Sequence, residues 1–573
     1  MTLATHLEIG ADDSQRFLRQ WLAWRANPQR PRMLHMVAIC PATYSNLTCS
    51  APSAASLTGP ESAALKLLAE LLNAQLWGLL PGFHRLVFEG GHVLLTLCIG
   101  DVVKVLRQQQ FEADSIDLNS AALADTELLY AAKAIARLCK TGTLLTTSNN
   151  EATQAALRQC GFVVTTHLGE LQATYNPAWV AKKRSQSVKP STCVVVGAGL
   201  AGAAVASSLA RRGWVVTVLD AASDPASGAS GLPAGLLVPH TSPDDSQLSR
   251  LSRAGVRITL EQARAKLRHG TDWAHTGVLQ RSLGGDVLNL PPAWAQSQSC
   301  AASDWCRPAT PRTLAAAGLP SDSQALWHAQ AGWVKPAALV NAWLGAPDIA
   351  WRGDVKVSKL TPTHVGWQVR DAAGDVLAQA DLVVLAAGYV SQSLSASIGA
   401  VQPDLQAIRG QVTFGLQKDS YQLPPFAVNG HGGLITAITT PDGPMWLMGA
   451  GYERDAQVPD IKAQDHADNL TRLQSLLPDA ALVLVEQFSP QHARGWAGIR
   501  CATQNRLPLV GPMATPSSKP GVWICTGMGS RGLSFAALSG ELLAAQLHGE
   551  PLPVDSQLAK AINKIGRKQL LNL

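Results

Sequence analysis

A strand, a glycine-rich turn and a helix follow one another in "VVVGAGLAGAAVASSLARRGWVVTVLD", residues 194–220. In a dinucleotide-binding unit, Gly197 permits the turn, Gly199 lets backbone amides approach a pyrophosphate, and Gly202 allows the helix to lie close to the strand. Asp220 ends the next strand, where a carboxylate accepts hydrogen bonds from a ribose. The pattern predicts a Rossmann-type nucleotide site, and the alternative is a glycine-rich turn of an unrelated α/β fold.

The composition is that of a large globular protein. A length of 573 residues predicts several domains, and 46% hydrophobic with 15% charged residues excludes a disordered chain. The net charge of +6 permits a polyanionic partner without requiring one. Ten cysteines without CxxC or metal-like spacing indicate reduced thiols and no metal site. With neither a signal peptide nor an apolar run of membrane-spanning length in the sequence, we expect a cytoplasmic protein with no membrane partner.

A polar, proline-containing stretch divides the chain. "TYNPAWVAKKRSQSVKPST", residues 174–192, has no apolar periodicity and is interpreted as a linker. In residues 1–173, strand-like runs such as "LLTLCIGD" (94–101) alternate with helical ones such as "ELLYAAKAIARLC" (127–139), which predicts an α/β layer structure. Residues 193–573 contain the Rossmann unit, a later strand ending in "LVVLAAG", and a final strand, glycine loop and helix.

Motifs spread over the second part carry a family resemblance. They are the fingerprint above, "GASG" (228–231), "GLLVP" (235–239), "AGWVKPAAL" (331–339), "LAAG" (385–388), "GIRCATQNRLPLVG" (498–511) and "GMGSRGL" (527–533). With them the sequence resembles the D-amino-acid oxidase class of FAD enzymes, which includes glycine oxidase. The resemblance implies a FAD-binding Rossmann domain with an interleaved α+β substrate domain.

The resemblance also implies which residues bind FAD. Ala229 and Ser230 would meet the diphosphate through backbone amides, where small side chains avoid crowding. The complete predicted set is Gly197, Gly199, Gly202, Asp220, Ala229, Ser230, Ala387, Gly388, Gly529 and Gly532.

A narrower resemblance is carried by "RRGWVVTV", "GASG", "AGIRCATQNRLPLVG", "GSRGLSFA" and the tail after "HGEPLPVD". These pieces are similar to bacterial bifunctional tRNA 5-methylaminomethyl-2-thiouridine biosynthesis proteins. That family joins an N-terminal Rossmann-like methyltransferase to a C-terminal FAD-dependent oxidoreductase. The resemblance therefore implies that residues 1–173 occupy the place of the methyltransferase.

Membership of this family would imply a reaction on the wobble uridine of certain tRNAs. The oxidoreductase removes the carboxymethyl group of 5-carboxymethylaminomethyl-(2-thio)uridine and leaves an aminomethyl group. The carbon next to nitrogen is oxidised, and water then hydrolyses the imine to release glyoxylate. A carboxylate near an apolar ring favours a guanidinium partner. The resemblance assigns Arg500 to the substrate carboxylate and Arg531 to the loop near the flavin; a structural ion pair for Arg500 and a cofactor or backbone contact for Arg531 remain alternatives.

Three further residues are weaker candidates. Tyr452 and His431 lie between the motifs and are candidates for the pocket wall, although a lone Tyr or His is more often structural. Trp333 is either an aromatic beside the flavin or a core residue, and the core interpretation is favoured.

The N-terminal part departs from its relatives' methyl-donor loop. In "LEIGADDSQRFLRQW" the second and third loop glycines are replaced by Asp12 and Ser14, and Asp13 adds a second acid beside the donor carboxylate. A Cβ at these positions hinders the close approach of backbone to S-adenosylmethionine. The family residues that survive are Glu8, Ile9, Gly10, Phe17 and Leu18.

Two more methyltransferase positions are altered. Cys40 stands where an acid binds ribose, and Asn119 stands where the catalytic Asp is expected; an amide cannot accept the proton of the attacking amine. Gly100 and Asp101 still match the adenine-side motif. We therefore predict a degenerate methyltransferase domain in which S-adenosylmethionine is a cofactor by resemblance only; the alternative is a shifted alignment with an unusual loop.

The predicted partner is tRNA carrying a modified wobble uridine. The basic cluster Lys182, Lys183 and Arg184 and the tail "NKIGRKQ" are candidates for phosphate contacts, or alternatively solvated faces. A second functional hypothesis is a FAD-dependent glycine or sarcosine-type oxidase with an N-terminal oligomerisation or binding module. A third is a tRNA-binding protein without catalysis. The sequence leaves the oligomeric state open.

Overall fold

The computed structural model describes residues 3–11, 14–41, 60–167, 170–179, 187–283, 289–292, 294, 301–456, 458–515 and 520–563. The predictions for Asp12, Asp13, Lys182, Lys183, Arg184 and the tail from residue 564 lie outside these residues. The chain divides into two compact units. The first comprises Met1–Lys189, Ser299–Ala301 and Ala544–Lys560, and the second Pro190–Gln298, Ala302–Leu543 and Ala561–Leu573.

The first unit is built on one sheet with the strand order β3-β4-β2-β1-β5-β6-β8-β7. Its central strands, from β4 to β6 in this order, pair in parallel, and the edges pair antiparallel. The strands are β1 (Leu3–Ile9), β2 (Met33–Cys40), β3 (Gly82–Phe88), β4 (Val93–Ile99), β5 (Ala113–Leu118), β6 (Cys139–Ser148), β7 (Phe162–His167) and β8 (Glu170–Tyr175).

Helices cover both faces of this sheet, as the near-continuous apolar strands require. The helices are α1 (Gln15–Ala26), α2 (Pro60–Asn73), α3 (Val102–Gln108), α4 (Asp125–Ala136) and α5 (Glu151–Gln159). The first two share one buried core with β2 and β4, and the other three share a second core with β1, β5 and β6.

The sequence patterns of the first unit correspond closely to these elements. The run at 94–101 is β4, and the stretch at 127–139 is most of α4 followed by the first residue of β6. The proposed linker starts too early, since Thr174 and Tyr175 belong to β8. Tyr175 is buried there with its ring 5.2 Å from that of Phe162, so an apolar contact extends the strand into the polar stretch.

The second unit contains several sheets. The strands are β9 (Thr192–Val196), β10 (Val215–Leu219), β11 (Gly235–Leu237), β12 (Trp273–Ala274), β13 (Val278–Arg281), β14 (Arg307–Pro308), β15 (Ala325–His328), β16 (Gly332–Val334), β17 (Ile349–Arg352), β18 (Lys359–Pro362), β19 (Trp367–Arg370), β20 (Val376–Ala380), β21 (Leu382–Leu385), β22 (Leu405–Leu416), β23 (Ala427–Gly430), β24 (Gly432–Thr440), β25 (Gly443–Gly449), β26 (Glu453–Arg454), β27 (Arg494–Thr503), β28 (Leu509–Pro512) and β29 (Val522–Thr526).

The two larger sheets form most of this unit. The first, ordered β17-β10-β9-β21-β29-β28, is parallel except at β28 and contains the predicted nucleotide-binding turn after β9. The second, ordered β14-β15-β13-β23-β24-β25-β22-β26 with β27 also paired to β22, is mostly antiparallel. A parallel nucleotide-binding sheet beside a mixed sheet is the predicted oxidase-type arrangement.

Glycines allow helices of the second unit to pack closely. The helices are α6 (Leu200–Arg211), α7 (Gln247–Lys266), α8 (Ala301–Trp305), α9 (Pro311–Ala316), α10 (Pro336–Leu344), α11 (Ser391–Ser397), α12 (Ala463–Leu476), α13 (Pro478–Leu484) and α14 (Gly532–His548). The last residues of α14 and all but the last residue of α15 (Ser556–Ala561) belong to the first unit. An added Cβ on Gly255 of α7 would lie 1.6 Å from the Ser534 carbonyl oxygen of α14. One on Gly540 would lie 2.7 Å from the Ala204 carbonyl oxygen of α6.

In the described part of the chain, no helix is long and apolar enough to cross a membrane. Among the same residues, no cluster of three or more His, Cys, Asp and Glu side chains has the arrangement of a metal site. The described cysteines are free thiols.

Replacing Gly202 by Ala is expected to lower the thermal unfolding midpoint, because the added methyl would lie 1.8 Å from the Gly197 carbonyl oxygen. Helix propensity alone would stabilise this variant by about 1 kcal/mol, whereas overpacking costs about 1–3 kcal/mol, so the sign of the change separates the two effects. Circular dichroism measures the midpoint. Gly345→Ala is the matched control, since its methyl would meet its nearest neighbour at 3.4 Å. A raised midpoint for Gly202→Ala would refute the close packing of α6.

Candidate active site

A cavity of about 960 Å³ lies where the order of the parallel strands reverses. The chain runs from β9 outward to β10 and β17, then returns to β21 on the other side of β9. Ligands of open α/β sheets bind at such a reversal, beyond the carboxyl ends of the strands. Val196, Leu219 and Thr526, at the ends of three parallel strands, line the cavity, which is in the size range of a cofactor site.

The turn after β9 brings backbone and carboxylate together at one end of this cavity. Gly197 has φ +110°, and a Cβ there would lie 2.5 Å from the Ala386 carbonyl oxygen, so this position requires glycine. The Asp220 carboxylate accepts hydrogen bonds from the Ala198 amide at 2.7 Å and the Ala222 amide at 2.9 Å. These bonds fix the carboxylate and leave further lone pairs for a ligand.

The N-terminus of α6 faces the same cavity. Ser230 accepts a hydrogen bond from the Leu200 amide through its hydroxyl at 3.0 Å, so its side chain meets the helix end. A Cβ on Gly199 would lie 3.0 Å from that hydroxyl. Backbone amides at a helix N-terminus attract anions, which makes this end of the cavity suitable for a diphosphate.

The residues present fit an extended FAD. The cavity continues from Asp220 past the α6 N-terminus to Gly388, Arg500 and Gly529. A carboxylate for ribose, a helix N-terminus for the diphosphate and glycine-lined walls for a flat ring system therefore follow in the order in which FAD presents these groups. Asp220, Gly199 and Ser230 would hold the nucleotide part, and Ala387, Gly388 and Gly529 would border the ring.

At the end of the cavity away from Asp220, hydrogen bonds join wall segments that are far apart in the chain. The Thr526 hydroxyl, at the end of β29, donates to the Gly388 carbonyl at 3.0 Å. The Gly529 amide donates to the Cys501 carbonyl at 2.7 Å and ties the glycine loop to β27. Burial raises the pKa of the Cys501 thiol, so this cavity residue is neutral at physiological pH.

Arg500 enters the cavity from β27. It pairs with Ile408 of β22, and its guanidinium lies over Gly410, where an added Cβ would be 2.1 Å from Nη2. Nη2 donates to the Gly451 carbonyl at 2.5 Å. Burial lowers the pKa of Arg500 below its ordinary value, but a guanidinium stays charged at neutral pH. One backbone acceptor thus orients a cation whose other N–H groups remain for an anionic ligand.

Arg531 precedes α14 and lines the same cavity. Burial and then repulsion by Arg506 lower its pKa. Burial, followed by repulsion from Arg531 and Arg506, lowers the pKa of His240 to about 4. Within the residues that the structure describes, neither Arg500 nor Arg531 forms an ion pair with a carboxylate. The local potential is therefore positive and suited to an anion.

The structure brings most of the predicted site residues to this one cavity. Gly202 does not line it and instead supports it by packing α6 onto β9. His431 is exposed and outside the lining, and Tyr452 is exposed beside Arg500. Trp333 is buried in the core, as favoured from the sequence. The predicted site residues that line the cavity are Gly197, Gly199, Asp220, Ala229, Ser230, Ala387, Gly388, Arg500, Gly529, Arg531 and Gly532.

The sequence reasoning missed the groups that orient Arg500. Gly410 makes room for its side chain, and the carbonyl of Gly451 accepts its hydrogen bond. A glycine inside a strand often marks the close approach of another group, so "RGQ" at 409–411 offered a signal for Gly410. The Gly451 carbonyl has no such signal, because a backbone acceptor is independent of residue type.

The first unit has a strand-order reversal of its own, between β1 and β5. Gly10 follows β1 with φ +74°, and a Cβ there would lie 2.5 Å from the Ala122 Cβ. The Asn119 amide donates to the Gly10 carbonyl at 3.3 Å, while its oxygen accepts the Ala121 amide at 3.3 Å. The loop after β1 and the turn after β5 are therefore in direct contact.

Other family positions of the first unit also have structural roles. Arg16 of α1 bridges Glu8 of β1, at 3.8 Å, and Asp117 of β5. Cys40 is fully buried in the core and does not present its side chain to a ribose. Gly100 has φ +156°, and Asp101 caps α3 by accepting the Lys104 amide at 2.8 Å. Arg16 thus lies across the strand ends at which a donor molecule would bind.

Comparison with known proteins agrees with the geometry of the second unit. The profile of the DAO family, FAD dependent oxidoreductases, matches residues 192–546. Among solved structures, glycine oxidase from Geobacillus kaustophilus has a TM-score of 0.52 and 20% sequence identity, over 65% of this chain and 98% of that chain. At this identity the likeness concerns the fold, which is that of the DAO-type oxidoreductases.

Curated relatives match both units. The tRNA 5-methylaminomethyl-2-thiouridine biosynthesis bifunctional protein MnmC of Polaromonas naphthalenivorans is 50% identical over 97% of this chain and 89% of its own length. The MnmC of Paracidovorax citrulli is 45% identical over 97% of this chain and 91% of its own, and that of Ralstonia nicotianae is 34% identical over 98% and 89%. The chain belongs to the family of bifunctional tRNA 5-methylaminomethyl-2-thiouridine biosynthesis proteins, and its second unit carries the FAD-dependent oxidoreductase domain of that family.

Proposed function

We propose that this protein modifies the wobble uridine of tRNA by removing the carboxymethyl group from 5-carboxymethylaminomethyl-(2-thio)uridine, leaving the 5-aminomethyl nucleoside and glyoxylate. The observation that carries the proposal is Arg500, oriented by the Gly451 carbonyl and lacking a carboxylate partner within the described residues, in the cavity that fits FAD. A substrate with a glycine-like carboxylate supplies the missing anion.

The arginines bind the substrate and also influence its protonation. The Arg500 fork holds the carboxylate and thereby turns the neighbouring carbon toward the ring end of the cavity. Bound FAD supplies the hydride acceptor. Oxidation requires a neutral amine, and the positive charges of Arg500 and Arg531 disfavour its protonated form. The protein thus binds, orients and keeps deprotonated an N-substituted glycine, and water completes the hydrolysis.

A glycine or sarcosine-type oxidase is the second candidate, favoured by the DAO-type fold it would share with glycine oxidase. The relatives named for tRNA modification match 97% of the chain, including the first unit, whereas the glycine oxidase matches 65%. Because the match to the tRNA-modifying relatives extends over the first unit as well, we favour the tRNA substrate.

For the N-terminal part we propose a methyltransferase-like domain, extended to residues 1–175 so that it includes all of β8, without methyltransfer. Asn119 donates its amide hydrogen to the Gly10 carbonyl, a bond that a catalytic carboxylate would lack. Arg16 pairs with Glu8 at the strand reversal. Both contacts engage groups that donor binding would need. Residues 176–191 would then link this domain to the oxidoreductase, residues 192–573, and the domain would serve tRNA binding.

Nucleoside analysis of tRNA from a strain lacking this protein tests the function. We expect 5-carboxymethylaminomethyl-(2-thio)uridine to accumulate, since its carboxymethyl group is no longer removed, and liquid chromatography with mass spectrometry measures it. Wild-type protein should restore the profile, and restoration without consumption of free sarcosine excludes the second candidate. An unchanged nucleoside profile would refute the proposal.

Arg500→Ala is expected to lower kcat/KM for the tRNA substrate by about 30- to 1000-fold, equivalent to about 2–4 kcal/mol for a lost partner of a buried charge pair. Arg500→Lys should recover only part of this activity, because an ammonium lacks the planar fork. Bound flavin, measured by absorbance, should remain at the wild-type level. Arg494→Ala on the exposed end of the same strand is the control. Full activity of Arg500→Ala would remove Arg500 from the substrate site.

The first unit is expected to bind no S-adenosylmethionine in calorimetric titration of the full-length protein. Asn119→Asp removes the bond to the Gly10 carbonyl but should restore neither binding nor methyl transfer to aminomethyl-tRNA, because the ion pairs of Arg16 and the substituted loop residues Asp12 and Ser14 remain. Oxidation of tRNA by the same sample controls for correct folding. Saturable donor binding, or methylation by the wild-type protein, would contradict the assignment.

A further inference from the structure

Tyr452 stands at the exposed side of Arg500. Its side chain is 60% exposed, and the guanidinium carbon of Arg500 lies 5.9 Å from its ring centroid. The guanidinium carbon of Arg454 lies at the same distance from that ring. A single exposed aromatic residue is ordinary, but this one lies beside both a cavity arginine and a surface arginine and keeps more than half of its side chain open to solvent.

Both neighbours of Tyr452 in the chain are anchored. The Gly451 amide donates to the Gln411 carbonyl at 3.1 Å, and the Gly451 carbonyl accepts from Arg500. On the other side, Glu453 is held by Arg409 at 3.1 Å and by Lys462 at 2.8 Å. The backbone that carries the exposed ring is thus fixed before a ligand arrives, which reduces the entropy lost on binding.

Arg409 makes this anchor strong. It is 1% exposed, and besides Glu453 it contacts the Asp465 carboxylate at 2.7 Å and donates to the Asp460 carbonyl at 2.8 Å. Lys462 and the hydrogen bonds from Arg409 lower the pKa of Glu453, so its carboxylate stays ionised at neutral pH. The strand pair β22 and β26 is therefore held together by charge as well as by backbone bonds.

From this arrangement we propose that Tyr452 is a stacking platform for the pyrimidine base of the substrate, with Arg454 beside it for the phosphate backbone. The inference rests on the proposed function, in which Arg500 holds the carboxylate. Four single bonds separate that carboxylate carbon from the uracil ring, a span of roughly 5 Å when extended. The hydrogen bonds between the carboxylate and the guanidinium add about 3 Å. The combined reach of roughly 8 Å exceeds the 5.9 Å between the guanidinium carbon and the Tyr452 ring centroid.

The chemistry of both residues suits a nucleotide displayed by a loop. Proteins recognise single-stranded RNA by stacking unpaired bases on aromatic rings, with cations contacting the phosphates. A free amino acid has no base to stack, so this platform distinguishes a nucleoside-linked glycine from sarcosine. Tyr452 is thereby a specificity-determining residue, and the flavin chemistry does not depend on it.

The test uses the full-length flavin-containing protein and two probes, the nucleoside 5-carboxymethylaminomethyluridine and N-methylglycine. For a probe that is oxidised, the dependence of the anaerobic flavin-reduction rate on its concentration gives the dissociation constant. For a probe that only binds, the shift of the flavin spectrum gives it. Tyr452→Ala should weaken nucleoside binding by roughly tenfold or more, the usual effect of losing one stacked base, and leave N-methylglycine binding unchanged. Tyr452→Phe should bind the nucleoside like wild type, because stacking needs the ring and not the hydroxyl.

Tyr130→Ala is the matched control. Tyr130 is 53% exposed with an arginine, Arg107, 5.8 Å from its ring, and it belongs to the first unit. The platform is refuted if Tyr452→Ala binds the nucleoside as wild type does, if it weakens both probes equally, or if Tyr452→Phe is as weak as Tyr452→Ala. Failure of the proposed function is distinguishable, since the wild-type protein would then neither bind nor oxidise the nucleoside.

Discussion

A charged guanidinium held in a cavity without a carboxylate partner among the residues that the structure describes is costly, and the architecture of the second unit supports Arg500 in that position. The side chain lies over Gly410, where any larger residue would displace it, and the Gly451 carbonyl satisfies one of its donors. The remaining N–H groups of Arg500 can donate to an anionic ligand. This uncompensated cation links a common flavin-binding fold to a substrate that contains a carboxylate.

The two units contain the same topological feature with different outcomes. Each sheet reverses its strand order next to its first strand, and each has a glycine turn at that point. In the second unit the reversal opens into a cavity that extends to Arg500. In the first, the Asn119 amide ties the turn after β5 to the loop after β1, and Arg16 spans the strand ends. In the first unit, side-chain contacts therefore hold together the segments that border the reversal.

Local patterns predicted the elements that hold the nucleotide. Strand β9, the turn at Gly197 and helix α6 follow one another without long-range contacts, so periodicity and glycine spacing identified them within a residue or two. The resemblance to known oxidases directed attention to Arg500 and Arg531. The position of Gly451 and the role of Arg409 could not be read from the sequence, because they depend on the pairing of β22 with β26 and β27, whose segments are far apart in the chain. The role proposed for Tyr452 could not be derived from the sequence for the same reason, since the proposal rests on the neighbours of that ring in space.

The most direct test of the central claim is anaerobic mixing of the flavin-containing protein with tRNA carrying 5-carboxymethylaminomethyluridine. If Arg500 holds this glycine-like group against the cofactor, the absorbance of oxidised flavin will disappear and glyoxylate will form in equal amount. Flavin that stays oxidised in the presence of saturating modified tRNA would contradict the account.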